Sequence, residues 1–119
     1  MSRTTTRRVE LGVLDLSKLH ERILVDLQTT FGVDPINARI ELTRQSGWST
    51  QPIKVRRWDQ GNESDLPSAV SMAVPTANTK SETLDAEQLI GVDVLSIGAD
   101  AVEASSKIEA AVIATVPLD

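Results

Sequence analysis

The sequence has 119 residues, no cysteine and a formal net charge of −5 at neutral pH. This length predicts a single domain over 1–119 that buries a hydrophobic core without disulfides or metal. The lack of cysteine excludes a disulfide framework and a thiolate zinc site, and the ordinary apolar fraction of 40% excludes a compositionally disordered chain.

The first third of the chain predicts a strand and then a helix. Apolar residues alternate with polar residues or glycine over 5–14, which is the period of a strand with one buried face. Ser17 is a favourable N-cap, and large apolar residues then recur at near-helical spacing until Gly32, a residue that suits a left-handed helix end. These features predict a helix over 17–31.

The middle of the chain predicts two strands and a connection. Residues 36–45, INARIELTRQ, alternate between apolar and polar side chains, which predicts a half-exposed strand. Residues 48–58, WSTQPIKVRRW, predict its partner strand, in which Pro52 indicates an edge position or a bulge. Residues 59–67 are polar and contain glycine, so we expect an exposed loop there.

The second half predicts further strands and one short helix. Alternating apolar residues favour strands at 70–74 and 91–98, and a cap at Thr83 favours a helix over 83–90. The stretch 100–116 fits either helix or strand. Its β-branched residues and the proline that follows favour a strand over 107–116.

These elements predict an α+β fold. The expected architecture is a mostly antiparallel sheet of about five or six strands with the 17–31 helix packed on one face, and one parallel crossover is compatible with its β-α-β opening. The alternative is a β-sandwich with an attached helix.

No motif in the sequence predicts a catalytic, cofactor or metal site. Neither glycine-rich phosphate-binding pattern occurs, and His20 is the single histidine. Glu63 with Asp65, and Asp93 with Asp100, are carboxylate pairs of the kind that serve acid–base chemistry or hold a hard cation, but such pairs are unavoidable among 17 acidic residues. We therefore expect no cofactor and favour a protein that is not an enzyme.

The location of the protein is predicted from what its sequence lacks. Its apolar runs are too short to span a bilayer, and no apolar segment follows the Arg/Thr-rich N-terminus as a secretion signal requires. We expect a soluble protein of the cytoplasm or of a virion, with no membrane partner.

Charge is segregated along the chain. Residues 1–57 hold 10 Lys or Arg against 6 Asp or Glu, a balance of +4, and residues 58–119 hold 2 against 11, a balance of −9, which together give the net −5. If the two halves form separate faces, the molecule is bipolar and suited to contact with copies of itself or with a charged partner. If the fold interleaves the halves, the field cancels.

The first half also combines arginine with tryptophan, a composition enriched at interface hot spots. We predict a non-enzymatic assembly or protein-interaction module, with a bacteriophage virion component as its more specific form and a homo-oligomer or another protein as its partner. The predicted interface residues are Trp48, Trp58, Arg39, Arg44, Arg56 and Arg57.

Two alternative functions come from other classes. A nucleic-acid or polyanion binder would use the basic first half, but the acidic pI of 4.8 and the lack of stacking aromatic residues make nucleic acid an unlikely partner. A small enzyme or ligand-binding domain would use acidic residues of the second half such as Asp93 and Asp100.

Overall fold

The computed structural model describes residues 3–18, 21–46, 52–75, 79–100 and 106–118. These residues form strands and two short helices, in the order β1 Thr4–Asp15, β2 Arg22–Asp26, α1 Leu27–Phe31, β3 Asn37–Ser46, β4 Ile53–Asp59, β5 Asn62–Ser64, β6 Val70–Met72, β7 Lys80–Leu84, α2 Ala86–Leu89, β8 Val94–Gly98 and β9 Lys107–Pro117.

The strands form two antiparallel sheets. The first, sheet A, has the order β1-β9-β3-β7. The second, sheet B, has the order β2-β8-β4-β5, and β6 pairs with β4. Every described strand pair is antiparallel, so the parallel crossover that the sequence allowed is not formed.

One hydrophobic core joins the two sheets. Alternate side chains of β9 point into it, including Ile108, Val112 and Val116, each of which is fully buried. Ile53 and Val55 of β4 are equally buried from the side of sheet B. The period-two pattern therefore has its usual physical cause, since each strand turns one face toward the other sheet.

The predicted α+β fold with a main helix over 17–31 is wrong. The chain instead forms strand β2 over Arg22–Asp26 and only a five-residue helix over Leu27–Phe31. Neither short helix is a main helix packed on a sheet face. The two-sheet arrangement is nearer to the alternative, a β-sandwich with an attached helix, but the helices among the described residues are only five and four residues long.

The helix prediction failed because tertiary pairing overrides a near-helical spacing. Val25 is buried and pairs with Leu95 of β8, where a β-branched side chain fits a pleated surface well. Asp26, rather than Ser17, caps the helix, because its carboxylate accepts a hydrogen bond from the backbone N–H of Thr29 at 3.0 Å. Only the predicted end at Gly32, in left-handed conformation, is confirmed.

The other predicted elements had mixed outcomes. The strands expected over 5–14, 36–45 and 107–116 are confirmed as β1, β3 and β9. The strand around Val55 is present as β4, but it lies in the other sheet from β3 and is not its partner. The expected loop over 59–67 contains β5, and the expected helix over 83–90 shrinks to α2, capped by Asp85 instead of Thr83.

Candidate functional site

Glu63 lies at the centre of an ionic network on the outer face of sheet B. Its carboxylate accepts hydrogen bonds from Ser96 Oγ at 2.6 Å and from Arg56 Nη1 at 3.3 Å, and it pairs with Arg22 Nε at 2.7 Å. The side chain is only 15% exposed. These contacts join β5 to β8, β4 and β2, so a single carboxylate connects four strands across the sheet.

Asp100 forms the second centre of this network. Arg56 donates two parallel hydrogen bonds to its carboxylate, at 2.7 and 3.0 Å, and Lys54 Nζ lies 2.9 Å from it. The hydrogen bonds from Arg56 and Lys54 hold the pKa of Asp100 well below its usual range. The same pairing with Asp100, and that with Glu63, raises the pKa of Arg56.

The two centres explain the charge segregation of the sequence. Strands of the cationic first half alternate in space with strands of the anionic second half in both sheets. Antiparallel neighbours from the two halves thus bring Lys54 and Arg56 next to Glu63, Asp65 and Asp100. The strand order interleaves the halves, so the sheets do not divide the charges into a basic face and an acidic face.

Arg57 and Trp58 line an open pocket of about 350 Å³ at one end of sheet B. The pocket, called the Arg57 pocket below, is completed by Asp59, Gln60, Gly91, Asp93 and Val94. The guanidinium of Arg57 passes close to Gly91, where an added Cβ would lie 3.9 Å from Nη2. No ion pair of Arg57 occurs among the described residues.

Several segments that carry an exposed apolar residue lie near the same end of the molecule. The backbone N–H of Ile36 donates to Thr115, and that of Leu118 donates to Arg3, at 2.8 and 2.9 Å, so the ends of β1, β3 and β9 meet there. A second pocket is lined by residues from both 34–35 and 89–93, so these two segments lie side by side. It shares Gly91 and Asp93 with the Arg57 pocket. We call the exposed apolar residues of this region the apolar end: Val33, Ile36, Ile90 and Leu118.

The structure does not unite the predicted interface residues into one patch. Trp58 and Arg57 both line the Arg57 pocket. Arg56 lies on the outer face of sheet B within the ionic network, and Trp58, opposite Glu63, is on the same face of the strand. Arg39 lies on the outer face of sheet A beside Asn37 and Thr83, and Arg44 is at the far end of the same strand. Trp48 and His20 lie outside the described residues.

The predicted carboxylate pairs do not form a metal site in the part of the chain that the structure describes, where no group of three or more potential ligands occurs. Asp93 and Asp100 lie at opposite ends of β8, and Glu63 is occupied by arginine and serine. Sequence reasoning missed the network role of Glu63. The sequence feature that could have revealed this role is Gln60-Gly61, which forms the turn of a hairpin. The hairpin places β5 beside the basic strand β4, with Glu63 opposite Trp58.

Comparison with known proteins identifies no family. No family model matches the sequence, and no curated protein matches it. A solved structure described as Bacillus endospore appendages, a novel family of disulfide-linked pili, is similar with a TM-score of 0.49 and 12% identity, over 98% of this chain and 91% of that chain. This chain contains no cysteine. None of the helices among the described residues is long and apolar enough to cross a membrane.

Proposed function

We propose that this protein is a non-enzymatic assembly module that contacts other protein subunits through the apolar end and the adjoining Arg57 pocket. The observation that carries the proposal is the position of the exposed apolar residues. Four of the six large apolar side chains exposed in the described residues belong to the apolar end. Single exposed apolar residues are ordinary, whereas a cluster of them indicates a protein contact.

The Arg57 pocket supports the same surface. Its arginine and tryptophan are residue types that contribute strongly at protein interfaces, and a partly buried indole needs little ordering when a partner covers it. Asp59 and Asp93 also line the pocket, but neither forms an ion pair with Arg57 among the described residues. The surface therefore fits a partner that offers apolar side chains around a carboxylate for Arg57.

The remaining predicted functions have less support. Two of the three cations of β4, Lys54 and Arg56, bond to carboxylates within the fold, which leaves them less able to contact nucleic-acid phosphates. The bacteriophage form of the proposal rests on nothing beyond the composition of the sequence.

The proposal is tested by the molar mass in solution of wild type and of Ile90→Asp, since Ile90 has 71% of its surface exposed. We expect a concentration-dependent oligomer for wild type, measured by size-exclusion chromatography with light scattering, and association at least about tenfold weaker for the variant. Leu24→Asp is the matched control, because Leu24 is 48% exposed but lies on the outer face of sheet B.

A wild-type protein that stays monomeric at every concentration contradicts self-assembly. An oligomer that Ile90→Asp and Leu24→Asp leave equally intact keeps the assembly function and rejects the apolar end as its contact surface.

A further inference from the structure

Sheet A ends in two free edges. β1 pairs only with β9, and β7 pairs only with β3, among the described residues. Each edge strand therefore has backbone N–H and C=O groups that no other described strand uses. Such an edge is a ready template for pairing with a strand of another chain.

The strand count of sheet A makes its two edges compatible with each other. Four antiparallel strands leave β1 and β7 running in opposite directions. A second copy placed beside the first, in the same orientation, thus sets its β1 antiparallel to β7 of the first copy. In this arrangement sheet A of each copy turns its core-side face to the same side, so the two sheets can join without rotating either copy.

The hydrogen-bonding positions on each edge follow from the alternation of the backbone. The carbonyl of Arg3 accepts from Leu118, which shows that Arg3 faces β9. In this part of β1 the backbone N–H and C=O groups of alternate residues then point away from β9; these residues are Thr4, Thr6, Arg8 and Glu10. The carbonyl of Thr115 on β9 faces β3, since it accepts a hydrogen bond from the N–H of Ile36. The same alternation, followed through the pairing of β9 with β3 and of β3 with β7, turns the backbone N–H and C=O groups of Ser81 and Thr83 away from β3.

The two edges carry opposite charges on the core-side face. Arg7 is exposed and sits opposite the small residue Ala114, and Glu82 is exposed and sits opposite Ile40. Neither forms an ion pair among the described residues, although Arg7 Nη1 donates to the carbonyl of Phe31 at 2.9 Å. Charges that point inward usually keep edge strands apart, but here each edge supplies the charge that the other lacks.

We infer that copies of this protein associate head to tail by pairing β1 of one copy with β7 of the next, with Arg7 opposite Glu82. This inference rests on the assembly role in the proposed function; it names a second copy as the partner and the edges of sheet A, which differ from the apolar end, as the contact surface. The register places Thr6 opposite Thr83 and Arg8 opposite Ser81, so outward-facing backbone groups meet each other in hydrogen-bonded pairs. The result is one continuous sheet across neighbouring copies.

Other registers are less favourable. A shift of two residues in one direction sets Arg7 opposite Lys80, where like charges repel, and a shift in the other sets it opposite Leu84. Antiparallel pairing of β1 with β1 of a second copy, centred on Arg7 or Arg8, places that arginine opposite its own equivalent, where like charges repel.

The contact is heterologous, because the two surfaces that meet are different. A repeated heterologous contact produces a ring when the rotation between copies closes and an open filament when it does not. The bulge ends the regular part of β1 at Glu10, so the paired segment covers Thr4–Glu10 and matches 79–85 in length.

Charge reversal with mixing tests the pairing. Arg7→Glu and Glu82→Arg should each weaken association at least about tenfold, since an attractive pair becomes a repulsive one. An equimolar mixture of the two variants should assemble again as alternating copies, because each variant then meets the opposite charge at both edges. The double variant should assemble on its own.

Lys107→Glu and Glu109→Arg are the matched controls, as both residues are exposed and lie on the central strand β9. They should leave the molar mass unchanged. Oligomers that persist in both Arg7→Glu and Glu82→Arg overturn the strand pairing while leaving the proposed assembly function standing.

A cysteine pair gives an independent measurement of the register. Thr6→Cys combined with Thr83→Cys should form disulfide-linked ladders on mild oxidation, whereas Thr6→Cys with Ser81→Cys should form far fewer. Within one copy, β1 and β7 are three strand spacings apart, roughly 14 Å, which is too far for a disulfide. The sequence has no other cysteine to interfere. Equal cross-linking of both variants, or of neither, overturns the register.

Discussion

Arg56 on β4 holds Asp100, just beyond β8, through two parallel hydrogen bonds of 2.7 and 3.0 Å. The fork geometry of the guanidinium matches a carboxylate, so the pair fixes orientation as well as distance. Because Arg56 also reaches Glu63 on β5, it links the strands on both sides of β4. The arginine that the sequence suggested as an interface residue thus has a structural role within its own sheet.

This pair predicts a specific loss of stability in acid. The pKa of Asp100 is lower in the folded chain than the value of about 3.9 expected when it is unfolded. Its stabilisation is therefore present above that value and is lost as the pH falls below it. With 43% of the side chain exposed, solvent screening limits the effect to about 1 kcal/mol.

Urea unfolding of wild type and Asp100→Asn between about pH 6 and about pH 3 measures this contribution. Wild type should be the more stable at the higher pH, and the difference should shrink toward the lower pH. Parallel pH profiles for the two proteins would show that Asp100 contributes no pH-dependent stability.

Glu63→Gln should destabilise the fold by about 2 kcal/mol, because Arg22 and Arg56 lose the carboxylate that neutralises them in a mostly buried position. Asp65→Asn is the matched control. Asp65 is 64% exposed and lies 3.5 Å from Arg56, so its replacement should cost less than about 0.5 kcal/mol. Urea midpoints at neutral pH compare the two, and equal losses would contradict a central role for Glu63.

The sequence predicted best where burial alone sets the pattern. In β9 every second side chain from Ile108 to Val116 enters the core, and this alternation is visible in the printed residues. In β1 a bulge between Glu10 and Gly12 shifts the alternation, so that Leu14 is buried and Val13 is exposed beyond it. The strand was therefore predictable, whereas the bulge and the side chains that it turns inward were not. The pairing of β1 with β9 joins opposite ends of the chain, and no local pattern records such a contact.

The segment from Ser17 to Phe31 shows where local reasoning ends. Its apolar spacing fits a helix, but Ile23 and Val25 stabilise the fold more as inward-facing strand residues that pack beside β8. Ser17 was a plausible cap, yet its N–H and hydroxyl both donate to Asp15 in a turn. Which of two capping residues is used depends on where the long-range pairing stops.

The location of the cap gives a direct test of this explanation. Asp26→Ala should cost about 1 kcal/mol, because it leaves the first turn of α1 without its hydrogen-bond acceptor. Ser17→Ala should cost less than about 0.5 kcal/mol, because it removes only an exposed contact in a turn. Thermal unfolding of both variants measures the difference. A larger loss for Ser17→Ala would contradict the assignment of Asp26 as the cap of α1.

The candidate site was predictable only in part, for a related reason. The charge segregation at Trp58 is plain in the sequence, but its outcome depends on strand order. Because strands of the two halves alternate in each sheet, cations that look free in the sequence meet carboxylates in the fold. Arg57 differs from Arg56 because neighbouring residues of a strand face opposite sides, and only knowledge of the pairing shows which side carries the network.

Close packing at Gly98 yields the last prediction. Gly98 pairs with Arg22 on one side and Lys54 on the other, under the ionic network. An added Cβ would lie 2.7 Å from Arg22 Nη1 and 2.9 Å from the backbone carbonyl of Glu21. The arginine can move its flexible end away, at the expense of its contact with Glu63, but the carbonyl cannot move without shifting the strand. Gly98→Ala should therefore destabilise the fold by about 1–3 kcal/mol.

Urea unfolding of Gly98→Ala alone and in an Arg22→Ala background separates the two obstacles. If the carbonyl of Glu21 is the main obstacle, the added methyl group lowers the free energy of unfolding by nearly the same amount in both backgrounds. A smaller loss in the Arg22→Ala background assigns the effect to the side chain of Arg22. A Gly98→Ala variant as stable as wild type would contradict the close approach of β2 to β8, and with it the packing that holds Arg22 against Glu63.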